Sequence, residues 1–495
     1  MIETFHMHPM KILTSFIQTA KNSFILILFL FIFNFKDVSM AIKIGRVIFL
    51  LYLFFRLIFI IIDWWKTTCE INDGMIQIKR GVFQRKQNSI PLREIQNITW
   101  RTPFYFQWFH ITSLRLETSS TSDSSTVQLD ALKVNVANKI EKLATTYKTE
   151  YKNVIEKMDE TESDTNELRQ EDLKDPYRTV HFSPTRKEVL KASFLSFSFL
   201  GLIPIIAIAY REIDKVINID KQVEGIFTFI TSSWLFIIGA ILLFIIVAFA
   251  FGIIQTYMKY GKYEISSDEE RIYIQSGILN EKVFSIQKAN VQAIRISQSP
   301  LKKLLKFTEV KLISAGSDDD QAEDISSLYP FLPSDQAKGL LAEILPQFPL
   351  KDAENKLPRQ ALYMRLMRIP WFWIIVTALI LWFKKEWWFL SPILFVITYL
   401  TRIFNYRNTR FSWDNETIQF KTGGISTDIF ITSRKKVIEV NVEQNIIQKK
   451  LGIATINTVN RVKPVHHEKL QDIPMIESQH FIRWYKQRAK EIRTE

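Results

Sequence analysis

The stretch YEISSDEERIYIQSGIL (263–279) alternates apolar and polar residues on both sides of a charged turn and ends just past Gly277. Ile272 and Ile274 set a period of two, which marks a strand half-buried in an antiparallel sheet. The same grammar recurs in CEINDGMIQIKRGVF (69–83) and FSWDNETIQFKTGGI (411–425). There Ile76 and Ile78 lead to Gly81, and Ile418 and Phe420 lead to Gly424. A glycine suits the turn or bulge at that point because it accepts positive φ without a Cβ clash. In the first copy the opening turn, Asn72-Asp73-Gly74, is two residues shorter than in the others.

Fourteen residues past these glycines stand Ile95, Val291 and Ile438, which open renewed alternation, as in VQAIRI (291–296) and VIEVNV (437–442). A link carrying Pro103 or Pro300 follows in the first two copies. A further strand is predicted at ITSLRLET (111–118), FTEVKLIS (307–314) and IATINTVN (453–460). Each copy closes on a helical stretch, at 131–158, 334–345 and 477–492. The pattern predicts a small bent sheet or barrel plugged by its C-terminal helix, written three times.

A pair of apolar runs precedes every copy: 23–35 with 42–65, 189–210 with 226–257, and 369–383 with 387–404. A membrane span needs about 17–25 apolar residues, so the second pair is ample while the first and fifth runs are short. Lys384-Lys385-Glu386 alone joins the last two, which forces a hairpin, and Trp382, Trp387 and Trp388 crowd its bend like an interfacial belt. With 47% hydrophobic and 23% charged residues across 495, the composition fits spans alternating with hydrophilic modules. The predicted fold class is therefore three α-helical membrane hairpins, about six spans, alternating with three small β domains. The expected boundaries are 1–65, 66–158, an acidic linker at 159–185, 186–257, 258–350, 351–404 and 405–495. The linker contains MDETESDTNELRQEDLKD (158–175), too polar to bury a core.

Basic residues flank the pairs on the module side (Lys11 and Lys21; Arg178, Arg186 and Lys187; Arg359, Arg365 and Arg368; Arg402, Arg407 and Arg410), while loop 211–225 carries three basic and four acidic residues. By the positive-inside rule the modules and both termini are expected in the cytoplasm. Lys384 and Lys385 run against that trend.

Each copy resembles the second class of bacterial pleckstrin-homology (PH) domain. The order of membrane pair then domain, three times over, with MHPMKIL (7–13) before the first span, is similar to the YdbT-like bacterial multi-pass membrane proteins. The resemblance covers nearly the whole chain but rests on diffuse patterns. It implies PH-like modules, a location in the bacterial cell membrane, and a hetero-oligomer with a smaller relative carrying one hairpin and one module.

Catalytic signatures are scarce. Ser299-Pro300-Leu301-Lys302 and Lys421-Thr422-Gly423 match fragments of penicillin-binding enzymes, but no Ser-Asp-Asn tripeptide completes the set. His466-His467-Glu468 reads as a solvated loop, and no HExxH occurs. Walker A, G-x-G-x-x-G and G-x-S-x-G patterns are missing, and the single Cys69 excludes an intramolecular disulfide. No enzyme, cofactor, metal or small-molecule substrate is expected. A net charge of +13 without a nucleic-acid motif favours the lipid bilayer over nucleic acid as partner.

The candidate anionic-surface contacts are Arg80, Arg85 and Lys86 (with Arg93 nearby), then Lys302, Lys303 and Lys306, then Arg434, Lys435 and Lys436 (with Lys449 and Lys450). Such residues form either a binding face or an ordinary solvated one. Arg56 lies inside an apolar run, nine residues before Trp65, or about 13 Å along a helix. It either pairs with a polar group of another span or subunit, or snorkels to the interface. The expected role is a non-enzymatic membrane scaffold that binds a protein partner or anionic head groups, with a part in envelope integrity or defence against membrane-active compounds. A transporter or channel component and a lipid-modifying enzyme are the rival readings.

Overall fold

The computed structural model describes residues 3–33, 39–72, 74–82, 84–118, 126–159, 178–193, 195, 234–314, 327–351, 353–383, 385–414, 416–462 and 465–488. Most of the acidic linker, the loop at 211–225 and all but the start of the 189–210 run lie outside these residues. The chain divides into two compact units, 1–176 with 183–264 and 274–285, and 177–182 with 265–273 and 286–495.

In the first unit β1 (Glu3–His6), β2 (Thr68–Asn72), β3 (Met75–Arg80) and β4 (Lys86–Pro91) form an antiparallel sheet in that order. Strand β1 precedes the first apolar pair and β2 follows it, with Glu3 opposite Ile71. A single 3-10 turn, Leu92–Glu94, swings the chain into β5 (Ile95–Thr102), β6 (Ile111–Thr118) and β7 (Thr126–Lys133), a second half-sheet. Between β5 and β6 sits a short helix, α4 (Phe104–Gln107). The closing helix α5 (Val134–Asp159) buries Ala137, Ile140 and Ala144 at helical spacing against Ile76, Leu92 and Leu114.

The same plan is written twice more. Copy two has β8 (Thr179–Phe182), β9 (Glu264–Ser267), β10 (Arg271–Ser276) and β11 (Glu281–Gln287), then β12 (Val291–Gln298), β13 (Phe307–Ser314) and β14 (Ser327–Pro333). Copy three has β15 (Asn355–Lys356), β16 (Arg410–Trp413), β17 (Thr417–Thr422) and β18 (Thr427–Ser433), then β19 (Val437–Glu443), β20 (Ile453–Asn460) and β21 (His466–Pro474). The short helices are α8 (Pro300–Leu304) and α13 (Ile446–Leu451), and the closing helices α9 (Ser334–Ile344) and α14 (Met475–Lys486). In α14, Phe481 and Trp484 plug the third core against Phe411 and Phe420. The predicted strands at 111–118, 307–314 and 453–460 coincide with β6, β13 and β20.

Two features differ from the expectation of self-contained barrels. First, each copy begins with a strand upstream of its membrane segment, so β8 lies inside the stretch read as linker. Second, the copies share sheets. In the second unit β12 of copy two pairs with β18 of copy three, Ile294 opposite Ile431 and Gln298 opposite Thr427, giving the order β14-β13-β12-β18-β17-β16-β15. In the first unit β11, mostly of that unit, lies beside β5 in the same way.

The turn glycines also need one correction. Gly81, Gly277 and Gly423 hold φ of +124°, +93° and +124°, and a Cβ on each would meet the carbonyl oxygen three residues on at 1.9–2.2 Å. The third repeat glycine is therefore Gly423. Gly424 instead packs its backbone against Thr401. The register moves with it: Val437 is wholly buried, like Ile95 and Val291, while Ile438 is 42% exposed.

Among the described residues, two helical segments are long and apolar enough to cross a membrane, α3 (Met40–Lys66) and the segment Arg359–Phe383, formed by α10 (Arg359–Met367) and α11 (Trp371–Phe383). A third qualifies if α1 (Met10–Asn22) and the following helix α2 (Phe24–Phe31), bent by 62°, count as one, and helices α6 (Arg186–Ser193) and α7 (Trp234–Tyr260) belong to the second apolar pair. The six predicted spans are thus matched only in part. The last apolar pair does form a helical hairpin: Trp373 Nε1 of α11 donates to the Ser391 carbonyl of α12 (Leu390–Asn408) at 3.0 Å, and Thr377 and Ser391 hydroxyls meet at 2.9 Å.

Candidate functional site

Where the last hairpin meets its sheet, three arginines converge. Arg365 and Arg368 end α10 and Arg402 lies on α12, and with Thr401, Asn405 and Gln471 they line a cleft of about 170 Å³. That is the volume of five or six waters, well short of a drug-sized pocket. The fixed point is Asp472, wholly buried in β21. It occupies a bulge, Gln471-Asp472 against Thr455, at φ +66°. Bulges re-aim side chains, and this one turns a carboxylate on the arginines. Arg368 Nη2 donates to both Asp472 oxygens (3.0 and 2.8 Å), Arg365 Nε to one (3.4 Å), and Gln448 Nε2 to the other (2.9 Å). The matching bulges of the other copies carry Asp130-Ala131 and Pro330-Phe331 and turn no carboxylate inward at the second position, so the cleft belongs to copy three.

The remaining donors divide between structure and opening. Arg365 Nη1 reaches Asn405 (2.6 Å) and Thr409 (3.2 Å), and Arg402 Nη1 caps the carbonyls of Arg365, Leu366 and Arg368 at the end of α10. The Nη2 of Arg365, the Nε of Arg368 and the Nε and Nη2 of Arg402 have no hydrogen-bond partner among the described residues, and the Arg402 guanidinium lies over the Tyr399 ring, 5.1 Å from its centre. Three guanidiniums against one carboxylate leave a formal surplus of two positive charges beside unspent donors, which suits an anion of phosphate size.

A second feature repeats in every copy. The short helix between the first two strands of each C-terminal half-sheet exposes large apolar side chains: Trp108 (76%), just past α4, Leu304 (78%) in α8 and Ile446 (80%) in α13. Lysines flank two of these tips, Lys303 and Lys306 at α8 and Lys449 and Lys450 at α13, and all four are exposed. Two tips sit where an apolar helix begins. Phe106 of α4 packs with Met10 at the start of α1, and Gln448 of α13 reaches the cleft at the foot of the hairpin. An exposed apolar residue is ordinary by itself. Its recurrence at one structural position was not visible in the sequence, where PFYFQWF and PLKKLLK share an opening proline and NIIQKKL matches them only in length.

The basic residues singled out from the sequence occupy three different settings. Arg80, Arg85 and Lys86 gather, exposed, around the Gly81 turn, with Arg80 opposite Lys86. Lys302 is tied to Glu309 at 2.7 Å and lies over Phe331. Arg434 is buried beneath α14, donating to the Trp484 carbonyl at 3.1 Å, and Lys436 caps the Ala289 carbonyl at 2.7 Å. Lys435 lies in the same 3-10 turn, Arg434–Lys436. Arg56 faces outward from α3, 5.5 Å from the Phe59 ring.

The suspected catalytic fragments have structural uses. Ser299 is the N-cap of α8, accepting from the Lys302 amide, and Lys421-Thr422-Gly423 is the β17–β18 turn. His466-His467-Glu468 is not a loop but the start of β21. There His466 stacks on Phe430 at 5.5 Å and Glu468 pairs with Arg295. Cys69 is buried and its thiol is pushed up to about 12, first by burial and then by Glu70, so it holds no thiolate at neutral pH. No metal-holding group of three or more His, Cys, Asp or Glu occurs among the described residues.

The chain belongs to the Bacterial PH domain family, whose pattern matches at 23–148, 225–348 and 360–489. It is also 26% identical, over 98% of both chains, to the UPF0699 transmembrane protein YdbT of Bacillus subtilis (strain 168). No solved structure matches. The chain is thus a YdbT-like membrane protein with three bacterial PH domains.

Proposed function

We propose that the chain is a non-enzymatic scaffold of the bacterial cell membrane, with six crossings in three hairpins and all three PH-like modules on the cytoplasmic face. The modules bind anionic lipid head groups and a protein partner. Shared sheets support one sidedness for all three, since strands cannot hydrogen-bond across a bilayer and every intervening segment must then cross an even number of times. The basic flanks support the cytoplasmic side. The apolar tips with their lysines suit shallow insertion at the head-group boundary. A smaller one-module relative is the protein partner implied by resemblance, and envelope integrity is the physiological role in keeping with it.

The observation that carries the reading is the cleft. A guanidinium fork matches a phosphate bidentately, and the surplus charge lies where the hairpin leaves the bilayer. Each basic group near an anionic surface contributes about 1 kcal/mol, so two contribute about 2 kcal/mol, or a preference of roughly 30-fold. The test is native mass spectrometry of the full chain from nanodiscs of mixed zwitterionic and anionic lipid. Retained lipid should be anionic, and Arg402→Gln should lose it. Equal retention of both lipid types by the native chain would overturn the lipid assignment. Flux of ions or solutes through the reconstituted chain would favour a transporter.

A further inference from the structure

Sheet sharing leaves two strands unused. The first strand of a C-terminal half-sheet pairs with the last strand of the next copy's N-terminal half-sheet: β5 lies beside β11, and β12 pairs with β18. Among the described residues β19, the counterpart of β5 and β12, ends its sheet, and β4, the counterpart of β11 and β18, ends another. Their burial agrees. No residue of β12 or β18 is exposed, whereas four of the seven residues of β19 and three of the six of β4 are. Unpaired edges offer a row of free backbone groups to any matching strand.

We propose that β19 of one chain pairs antiparallel with β4 of a second copy of the same chain, repeating between molecules the junction that joins copies two and three within one. The junction supplies the register. Hairpins β3–β4 and β17–β18 pair in the same register, with Met75 opposite Pro91 and Thr417 opposite Ser433, and both turn at the equivalent glycines Gly81 and Gly423. Val437 likewise matches Val291. Transferring the β12–β18 pairs then sets Val440 opposite Ser89, Asn441 opposite Asn88, and Glu443 opposite Lys86. In the internal junction that last position is Ser297 opposite Asp428, joined by a 2.7 Å hydrogen bond.

The charges identify the occupant. β19 presents exposed Glu439 and Glu443, while β4 and its turn present exposed Lys86 and Arg85. Each edge repels a copy of itself and attracts the other, which disfavours a two-fold β19–β19 or β4–β4 contact. The association is therefore head-to-tail, the heterologous kind that closes into rings or extends. Both copies sit in one bilayer with one orientation, as do the copies joined internally. The proposal rests on strand geometry and stands whether or not the cleft binds lipid. It assigns Arg85 and Lys86 to a protein edge in place of an anionic surface.

Two full-length chains with different tags, one Glu443→Cys and one Lys86→Cys, are co-reconstituted and mildly oxidised. A disulfide between the two tags is expected, and the Glu439→Cys with Lys86→Cys pairing, four residues out of register, should give at least threefold less. Buried Cys69 stays reduced. Glu443→Lys should lower recovery of the second tag in pull-downs from mixed membranes by roughly threefold or more, and Lys86→Glu on the other chain should restore it. Disulfides between two Glu443→Cys chains, cross-linking indifferent to register, or a monomeric mass for the native chain in nanodiscs would each overturn the proposal. So would charge reversal without rescue.

Discussion

Asp472→Asn separates the structural and the binding roles of the cleft, because it moves them in opposite directions. The native carboxylate is wholly buried and accepts from Arg365, Arg368 and Gln448. An amide has nearly the same shape, so no cavity forms, but it cannot neutralise two guanidiniums, one of them, Arg365, itself buried. Removing one member of a buried pair costs about 3–5 kcal/mol. With Arg368 partly open to solvent, the lower end, about 3 kcal/mol, is expected. The formal surplus in the cleft rises from two to three, which adds about 1 kcal/mol of attraction to an anionic surface, or roughly fivefold in affinity. In thermal unfolding of the full chain in nanodiscs, the variant should melt below the native protein in zwitterionic lipid and recover more than the native protein on adding anionic lipid. Arg402→Gln should melt lower and recover less. If Asp472→Asn is destabilised equally in both lipids, the cleft is a buried brace and holds no head group.

Gly81→Ala, Gly277→Ala and Gly423→Ala should each lower stability by about 1–3 kcal/mol in unfolding assays, since a Cβ at positive φ strikes a carbonyl oxygen within 2.2 Å. Equal loss at all three would confirm that the turns are one device. Cys69 should resist maleimide in the native protein at pH 8 and react on denaturation. Its pH effect has a definite sign: below about 9 both states keep the proton, between 9 and about 12 only the unfolded state releases it, so stability falls across that window and Cys69→Ala removes that part of the fall. An environment-sensitive dye on Leu304→Cys should shift to the blue in anionic nanodiscs with no change in melting, which checks the tip at α8.

Much of this was legible because it is local. Period-two alternation set the strands, and the glycines set the turns. Where two glycines adjoin, Gly423-Gly424, sequence offers no reason to prefer one. Burial of Val437 decides it, and burial is a tertiary fact. Strands β1, β8 and β15 were missed because two to four residues carry no periodicity and their partners lie beyond a membrane segment. The cleft was missed for the same kind of reason. Arg365 and Arg368 read as flanking charges and Asp472 as one acid among many, and only the bulge in β21 brings them together. The sharing of sheets has no signature within a copy at all.

Ile294 and Ile431 face each other across the β12–β18 junction and both are wholly buried. A fragment 258–350, copy two without β8, exposes Ile294 and the edge of β12. It also bares β9 and β11, two edges that stay bare in 258–495, so the two fragments differ at the β12–β18 junction. The shorter one is expected to self-associate, because bare edges template pairing. The longer fragment 258–495 keeps the junction closed and should be better behaved in detergent. Were 258–350 monomeric and as resistant to proteolysis as the same segment in the full chain, each copy would be an independent domain. The edges of β4 and β19 would then be ordinary surfaces. If it aggregates and the longer fragment does not, a copy is completed only by its neighbour, and the two outer strands are incomplete for the same physical reason.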